Sequence, residues 1–291
     1  MPLIKPDGLH APLHRDDYDA IERVNFSTLK LMAKSPAHYR HGLITPPEDT
    51  DPKKLGRAVH LAALEPERFR TAIAVWEGGT RRGKDWDKFR EQHPGCELLT
   101  ENEYAKCIAI QNAVRNDARA MRYLSIGRGE VTLLWTLDGG AGVNAYRIHC
   151  KGRIDFDAQD AIVDLKTTRD GSQDGFGRQS YGLNYHTQAC WYTDGYAHAT
   201  GLRKPYVIVS VENEEPHVVT VYRVPDRYLA MGQEQYWQWL STLAFCRENS
   251  RWPGYAETEL DLEFPPWATG EDEDLVGEGL TSGGVALAGG D

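Results

Sequence analysis

The eight residues AIVDLKTT at 161–168 constrain this chain more than any other stretch. They make the short apolar run expected of a buried central strand, yet Asp164 and Lys166 stand inside it. Buried charge is costly unless it is paired or bound to a metal, so the run predicts an ion pair or a metal site. Two apart on a strand, Asp164 and Lys166 share one face. The preceding segment, YRIHCKGRIDFDA at 146–158, alternates as a second strand and carries Asp155 near its end. Two carboxylates on neighbouring strands would make a hard, oxygen-rich site suited to Mg²⁺ or Mn²⁺. A lysine beside them can orient a water nucleophile and pair with a scissile phosphate, whose developing charge metal ions stabilise. A surface hairpin with solvated charges is the competing reading of the same residues.

Around this centre the order is helices, three strands, a helix, two strands and a helix. That predicts an α/β fold with a mixed central sheet flanked by helices. A polar arm at 1–24 leads into NFSTLKLMAKSPAHYRHGL, where Asn25 or Ser27 caps a helix and Pro36 ends or restarts it. KKLGRAVHLAALEPERF is a second helix, closed at Pro66. Residues 77–95 read as a loop entering a short helix, and Glu101 to Leu124 as one long amphipathic helix. Strands are expected at 130–137, 146–158 and 161–168, followed by a Gly/Ser-rich loop at 170–184. YHTQACWYTDGYAHATG is a helix ending at Gly201. PYVIVSVEN and HVVTVYRVP are strands, and Asp226 to Arg251 is the closing helix. Residues 269–291 are Gly-rich and acidic and read as a disordered tail, leaving 25–268 as the folded domain.

The formal net charge of −10 argues against a nucleic-acid partner, because phosphate binding needs local positive charge. The tail, however, holds Glu271, Asp272, Glu273, Asp274, Glu278 and Asp291 with no Lys or Arg, so the body lies nearer neutrality. No stretch approaches the ~20 apolar residues that cross a bilayer, and no apolar signal core opens the chain, which predicts a cytoplasmic protein. Cys96, Cys107, Cys150, Cys190 and Cys246 are scattered and never spaced as CxxC. Reduced thiols are expected, with no disulfide, zinc site or iron–sulfur cluster. No GxxxxGK[ST] nucleotide loop is present.

The motifs taken together resemble the PDDEXK nuclease superfamily, within it the RecB/λ-exonuclease group, and most closely the RecE-type (exonuclease VIII-like) phage and prophage exonucleases. Asp155 followed by Asp164-Leu165-Lys166 matches the family's Asp and D/E-x-K pair, with Asp where many members have Glu. GRAVH supplies the upstream G-x-x-x-H with Gly56 and His60, and QACWY the downstream Q-x-x-x-Y with Gln188 and Tyr192. The likeness extends over most of 25–245, including RRGKDWDKF. It implies a restriction-endonuclease-like core in which His60, Asp155, Asp164 and the Leu165 carbonyl ligate two divalent cations, Mg²⁺ with Mn²⁺ as a substitute. It implies that Lys166 positions the attacking water, that Gln188 and Tyr192 contact DNA or brace the lysine, and that Glu130 lies near the metals. Arg81, Arg82, Lys84 and Lys88, with Thr167, Thr168 and Arg169 past the active strand, are candidate DNA contacts. The implied activity is 5′→3′ digestion of linear double-stranded DNA, leaving 3′ tails for an annealing or recombinase protein. The implied assembly is a trimeric or tetrameric ring in a bacterial host cell. Two other readings stay open: a structure-specific or single-strand nuclease of the same fold, and a catalytically silent DNA-binding or assembly protein.

Overall fold

The computed structural model describes residues 5–45, 50–142 and 145–264. The chain divides into two units, Met1–Trp252 and Pro253–Asp291. Residues 253–264, the described part of the second unit, carry no helix or strand, and the tail expected at 269–291 lies outside the described residues.

The first unit opens with β1 (Gly8–His10), α1 (Arg15–Asp19) and β2 (Val24–Asn25). Next come α2 (Phe26–Leu29), a 3-10 turn at Lys30–Ala33 and α3 (Pro36–Ile44). α4 (Asp51–Leu64) and α5 (Pro66–Ala72) lead into β3 (Ile73–Trp76), α6 (Lys84–Gln92) and β4 (Glu97–Thr100). α7 (Glu101–Asn116) and α8 (Ala118–Leu124) precede β5 (Gly127–Gly139) and β6 (Tyr146–Ala158). β7 (Ile162–Thr168), α9 (Gln173–Gly182) and α10 (Tyr185–Thr200) follow. β8 (Tyr206–Glu212), β9 (Val219–Arg223) and α11 (Asp226–Asn249) complete the unit.

Local chemistry sets these boundaries. Asn25 Oδ1 accepts the Thr28 N–H at 2.9 Å and starts α2, and Ser35 caps α3 with Pro36 in the first turn, where its missing N–H costs nothing. Two expectations need correcting. The helix expected from Glu101 to Leu124 is two helices, because Asp117 leaves helical geometry and its carboxylate caps α8 through Arg119 N and Ala120 N. The loop expected at 170–184 contains α9, capped by Ser172 and anchored by buried Phe176.

The main sheet runs β1-β5-β6-β7-β8-β9, with β2 also pairing β6. β7 and β8 are parallel, β2 joins β6 in parallel, and the remaining neighbours are antiparallel, so the sheet is mixed as expected. The stretch expected as an arm thus supplies two of its strands, while β3 and β4 form a separate parallel pair. One core, rich in aromatics, includes Trp135, Trp191, Tyr206, Tyr236 and Trp239. The other is mainly aliphatic and includes Val59, Ile110, Val163, Leu165 and Val209. The two lie on opposite faces of β7: Ile162 belongs to the first, Val163 and Leu165 to the second. No helix among the described residues is long and apolar enough to cross a membrane.

Candidate active site

β5 flanks one edge of β6, so β2 and β7 must share the other. β2 pairs with it at Cys150 and Lys151, and β7 only at Phe156 and Asp157. Between those contacts the edge has no strand partner among the described residues, and this gap is where the charged residues collect. Beyond the last rung the Asp155 side chain takes over from the backbone: its Oδ2 accepts the Leu165 N–H at 2.9 Å. Strict alternation also fails here, since Ile154 packs in the aromatic core and Phe156, two residues on, in the aliphatic one. Opposite, between the rungs Gly129↔Phe156 and Val131↔Ile154, Glu130 adopts φ 53°. A left-handed backbone at a non-glycine residue costs about 1–3 kcal/mol and persists only where its surroundings enforce it.

α4 lies on the aliphatic side and delivers His60, whose Nδ1 is 3.3 Å from Asp155 Oδ2. One ligand atom each from His60, Glu130 and Asp155 can be chosen with all three within 4.8 Å of one another. Two carboxylates and an imidazole fit a divalent cation that keeps its remaining positions for water or substrate. Glu130 is held above the usual carboxylate range, chiefly by burial and also by nearby Asp155 and Glu65, against the pull of Arg153. A cation held there would compete with the Glu130 proton, so its binding would strengthen as pH rises.

Asp164 stands outside that trio. It is buried and pairs with Lys166, Nζ to Oδ2 at 2.5 Å. Burial raises the Asp164 carboxyl against the pull of Lys166. Burial draws Lys166 down, but Asp164 and Asp155 outweigh it and the ammonium is held above its ordinary value. The same ammonium sits 4.9 Å from the ring centroid of Tyr185, the first residue of α10. Tyr185 went unnoticed in the sequence, although an aromatic three residues ahead of Gln188 was a visible signal.

Gln188 and Tyr192 follow on α10, and Gln188 hydrogen-bonds the Tyr192 side chain, whose phenol is raised by burial. A Cβ at Gly152 would come within 2.9 Å of the Tyr192 ring, so only glycine lets this ring lie against β6. The pair lies near Asp164 and Asp155, with Tyr192 and Tyr206 nearly parallel at 6.4 Å between centroids.

The expected DNA contacts divide. Arg82, Lys84, Lys88 and Arg169 are exposed, and none has an ion-pair partner among the described residues. Thr167 is half-buried. Arg81 is instead a structural residue: it bonds to Glu103, lies 3.4 Å from Asp51 and donates to the Leu98 carbonyl at 3.1 Å. Glu103 is also the acid of the α7 capping box, so Arg81 ties its loop to that helix. Thr168 is 2% exposed, with its hydroxyl 2.8 Å from Gln179 Oε1 and 3.0 Å from the Asp170 carbonyl. Its burial keeps it from a phosphate. Leu165 presents its N–H to Asp155, and the structure gives no further sign of its expected ligand role.

A buried ion pair thus stands beside a carboxylate–imidazole cluster at the opening of the mixed sheet. Residues 25–260 match the family described as PDDEXK-like domain of unknown function (DUF3799), and the chain belongs to that family. Among solved structures it is similar to a Eubacterium rectale protein provisionally named an exonuclease. The identity is 16%, the TM-score 0.57, and the match covers 92% of this chain and all of that one. At that identity the likeness speaks for the fold alone. The structure of SSO0001 is 11% identical over 64% of this chain and 83% of its own, with a TM-score of 0.28 that carries no argument. No curated protein gives a significant match.

Proposed function

We propose that this protein is a divalent-cation-dependent deoxyribonuclease acting as a 5′→3′ exonuclease on linear double-stranded DNA, leaving 3′ single-stranded tails. The observation that carries the reading is the trio His60, Glu130 and Asp155 beside the buried Asp164–Lys166 pair. The family membership and the name of the Eubacterium rectale relative agree with it.

His60, Glu130 and Asp155 would hold the cation, with Asp164 beside them, and Mg²⁺ or Mn²⁺ suits the carboxylates. When bound, such a cation supplies Lewis-acid stabilisation of charge developing on the scissile phosphate. Lys166 Nζ, fixed by Asp164 and Tyr185, orients the attacking water and faces the phosphate as a positive charge. Asp155 orders the fork by accepting from Leu165 N, and Gln188 with Tyr192 keeps the floor rigid so that Lys166 does not drift. The exposed Arg82, Lys84, Lys88 and Arg169 are available to phosphates.

A closed homo-oligomeric ring, trimer or tetramer, would retain the substrate by topology, which suits a chain whose net charge is −10. The tails would serve a single-strand annealing or recombinase partner in a phage- or prophage-carrying cell. Digestion of duplex DNA labelled separately at each end, with Mg²⁺, with EDTA and with Lys166→Ala, tests the activity. Metal-dependent loss of the 5′ label, absent in the variant, is expected. No cleavage of any DNA in Mg²⁺ or Mn²⁺ would replace this reading with a silent DNA-binding role. Light scattering tests the ring, and a monomeric mass would rule it out.

A further inference from the structure

We propose that Arg153 is a positioning residue that couples the cation site to the segment 15–21, through Tyr18 on one side and Glu130 on the other. The inference rests on the metal-site reading above and adds to it a group that lies outside the ligand trio.

Lys151 and Arg153 are two apart on β6 and share a face, in the stretch where the strand's edge opens. Arg153 Nε lies 2.7 Å from Glu130 Oε2, in a pair whose side chains are only 21% and 15% exposed. The same guanidinium stacks over Tyr18, with Cζ 5.2 Å from the ring centroid. Lys151 Nζ lies 4.5 Å from that centroid and donates to the carbonyls of Tyr18 at 2.7 Å and Ile21 at 2.8 Å. Tyr18 is thus gripped by two cations, one of which holds a cation ligand. The segment is also anchored before and after this point, by β1 on β5 and by β2 on β6. It is a strap fixed at both ends and pressed onto the site at its middle.

Glu130 has two oxygens, and Arg153 occupies one of them. Oε1 can turn to a cation while Oε2 stays on Arg153, so binding would immobilise Glu130, then Arg153, then the Tyr18 ring. Such coupling runs both ways by thermodynamic necessity: if the cation steadies the strap, the strap steadies the cation by the same factor. The left-handed backbone at Glu130 sharpens the need for an external hold, because a strained ligand without one relaxes away from its working rotamer.

The experiment uses the full chain with Mn²⁺ alone, free ion being read by its electron paramagnetic resonance signal, and amide hydrogen exchange read in parallel. Arg153→Gln is expected to weaken Mn²⁺ binding by about tenfold, the usual scale for a group that orients a ligand. Tyr18→Ala, which touches no ligand atom, is expected to weaken it by about fivefold, and Tyr18→Phe to restore the affinity by keeping the ring. Mn²⁺ is expected to slow exchange at residues 18–21 in the wild type and not in Arg153→Gln. Asp155→Asn separates the two readings. If it abolishes binding while Arg153→Gln and Tyr18→Ala leave the affinity unchanged, the coupling is wrong and the metal site stands. If Asp155→Asn also binds Mn²⁺ as the wild type does, the metal-site reading itself fails.

Discussion

One face of the central sheet is packed with Trp135, Trp191, Tyr236 and Trp239 beneath α10 and α11, and the other with Val59, Ile110, Val114 and Val209 beneath α4 and α7. On the aromatic face, fit is specific. Trp135 meets Trp191 edge-on at 4.9 Å, and a Cβ at Gly195 would come within 2.8 Å of the Trp135 ring. Buried Asp194 accepts from Arg203, Gln233 and Tyr236, locking α10 to α11. The aliphatic face has its own polar ties, Gln111 to the Ala62 carbonyl and Arg57 to Glu97, around a core of branched side chains. Lys166, Gln188 and Tyr192 belong to the first environment and His60 to the second. On the proposed reading, the group to be aimed therefore lies on the aromatic face and a cation ligand on the aliphatic one, and the question is whether the two differ in stiffness.

Several measurements would break or sharpen that contrast. Lys166→Ala is expected to lower single-turnover cleavage of duplex DNA by about a thousandfold, within the range for a positioned proton-handling or charge-handling group. His60→Ala should instead be partly rescued by higher Mn²⁺, and an equal, unrescued loss in both variants would erase the distinction. In urea titrations Leu240→Ala in the aromatic core should cost more than Ile110→Ala in the aliphatic one, both within about 2–5 kcal/mol, because a site that can collapse loses less. Comparable losses would mean that the faces do not differ in stiffness.

A pH series probes the seam between the faces, where Trp191 Nε1 donates to the Lys151 carbonyl at 3.3 Å. Burial lowers the Lys151 amine from 10.5 to about 8. Between those values the unfolded chain keeps a proton that the folded one releases, so this group favours folding more as pH rises. The melting temperature of the wild type should therefore climb relative to Lys151→Met between about pH 8 and 10, and a constant difference would refute it. The smallest expected effect is at Asp117→Ala, where loss of the α8 cap should cost about 1 kcal/mol.

Much of this was legible beforehand for identifiable reasons. β5 to β9 declare themselves by alternation or apolar runs; His60, Asp155, Asp164, Lys166, Gln188 and Tyr192 stood out through the resemblance of their motifs to the PDDEXK nucleases, and the structure brings the first four together. β1 and β2 have three and two residues, too few for any period to register, and they exist only because distant strands receive them. α9 was hidden by Gly175, Gly177 and Gly182, although the Ser172 cap, which accepts the Gly175 N–H at 3.1 Å, was a usable sign. The Asp117 cap was equally visible inside what looked like one helix. Glu130 was readable as an acid near the site but not as a left-handed residue, because that depends on the register with β6. Arg153 looked like one more polar position on a strand until Glu130 and Tyr18 appeared on either side of it.

The sheet's topology also dictates an order of events on the ribosome. Gly8 of β1 pairs with Leu134, and Val24 of β2 with Cys150. Each early strand must wait for more than a hundred further residues, on the order of ten seconds of synthesis at typical translation rates. Throughout that interval the early segment lacks these sheet partners, and the gap beside Asp155 cannot yet be bordered on both sides. Maturation of the site is therefore a late step of biogenesis, in which an early-made segment closes over strands made more than a hundred residues later.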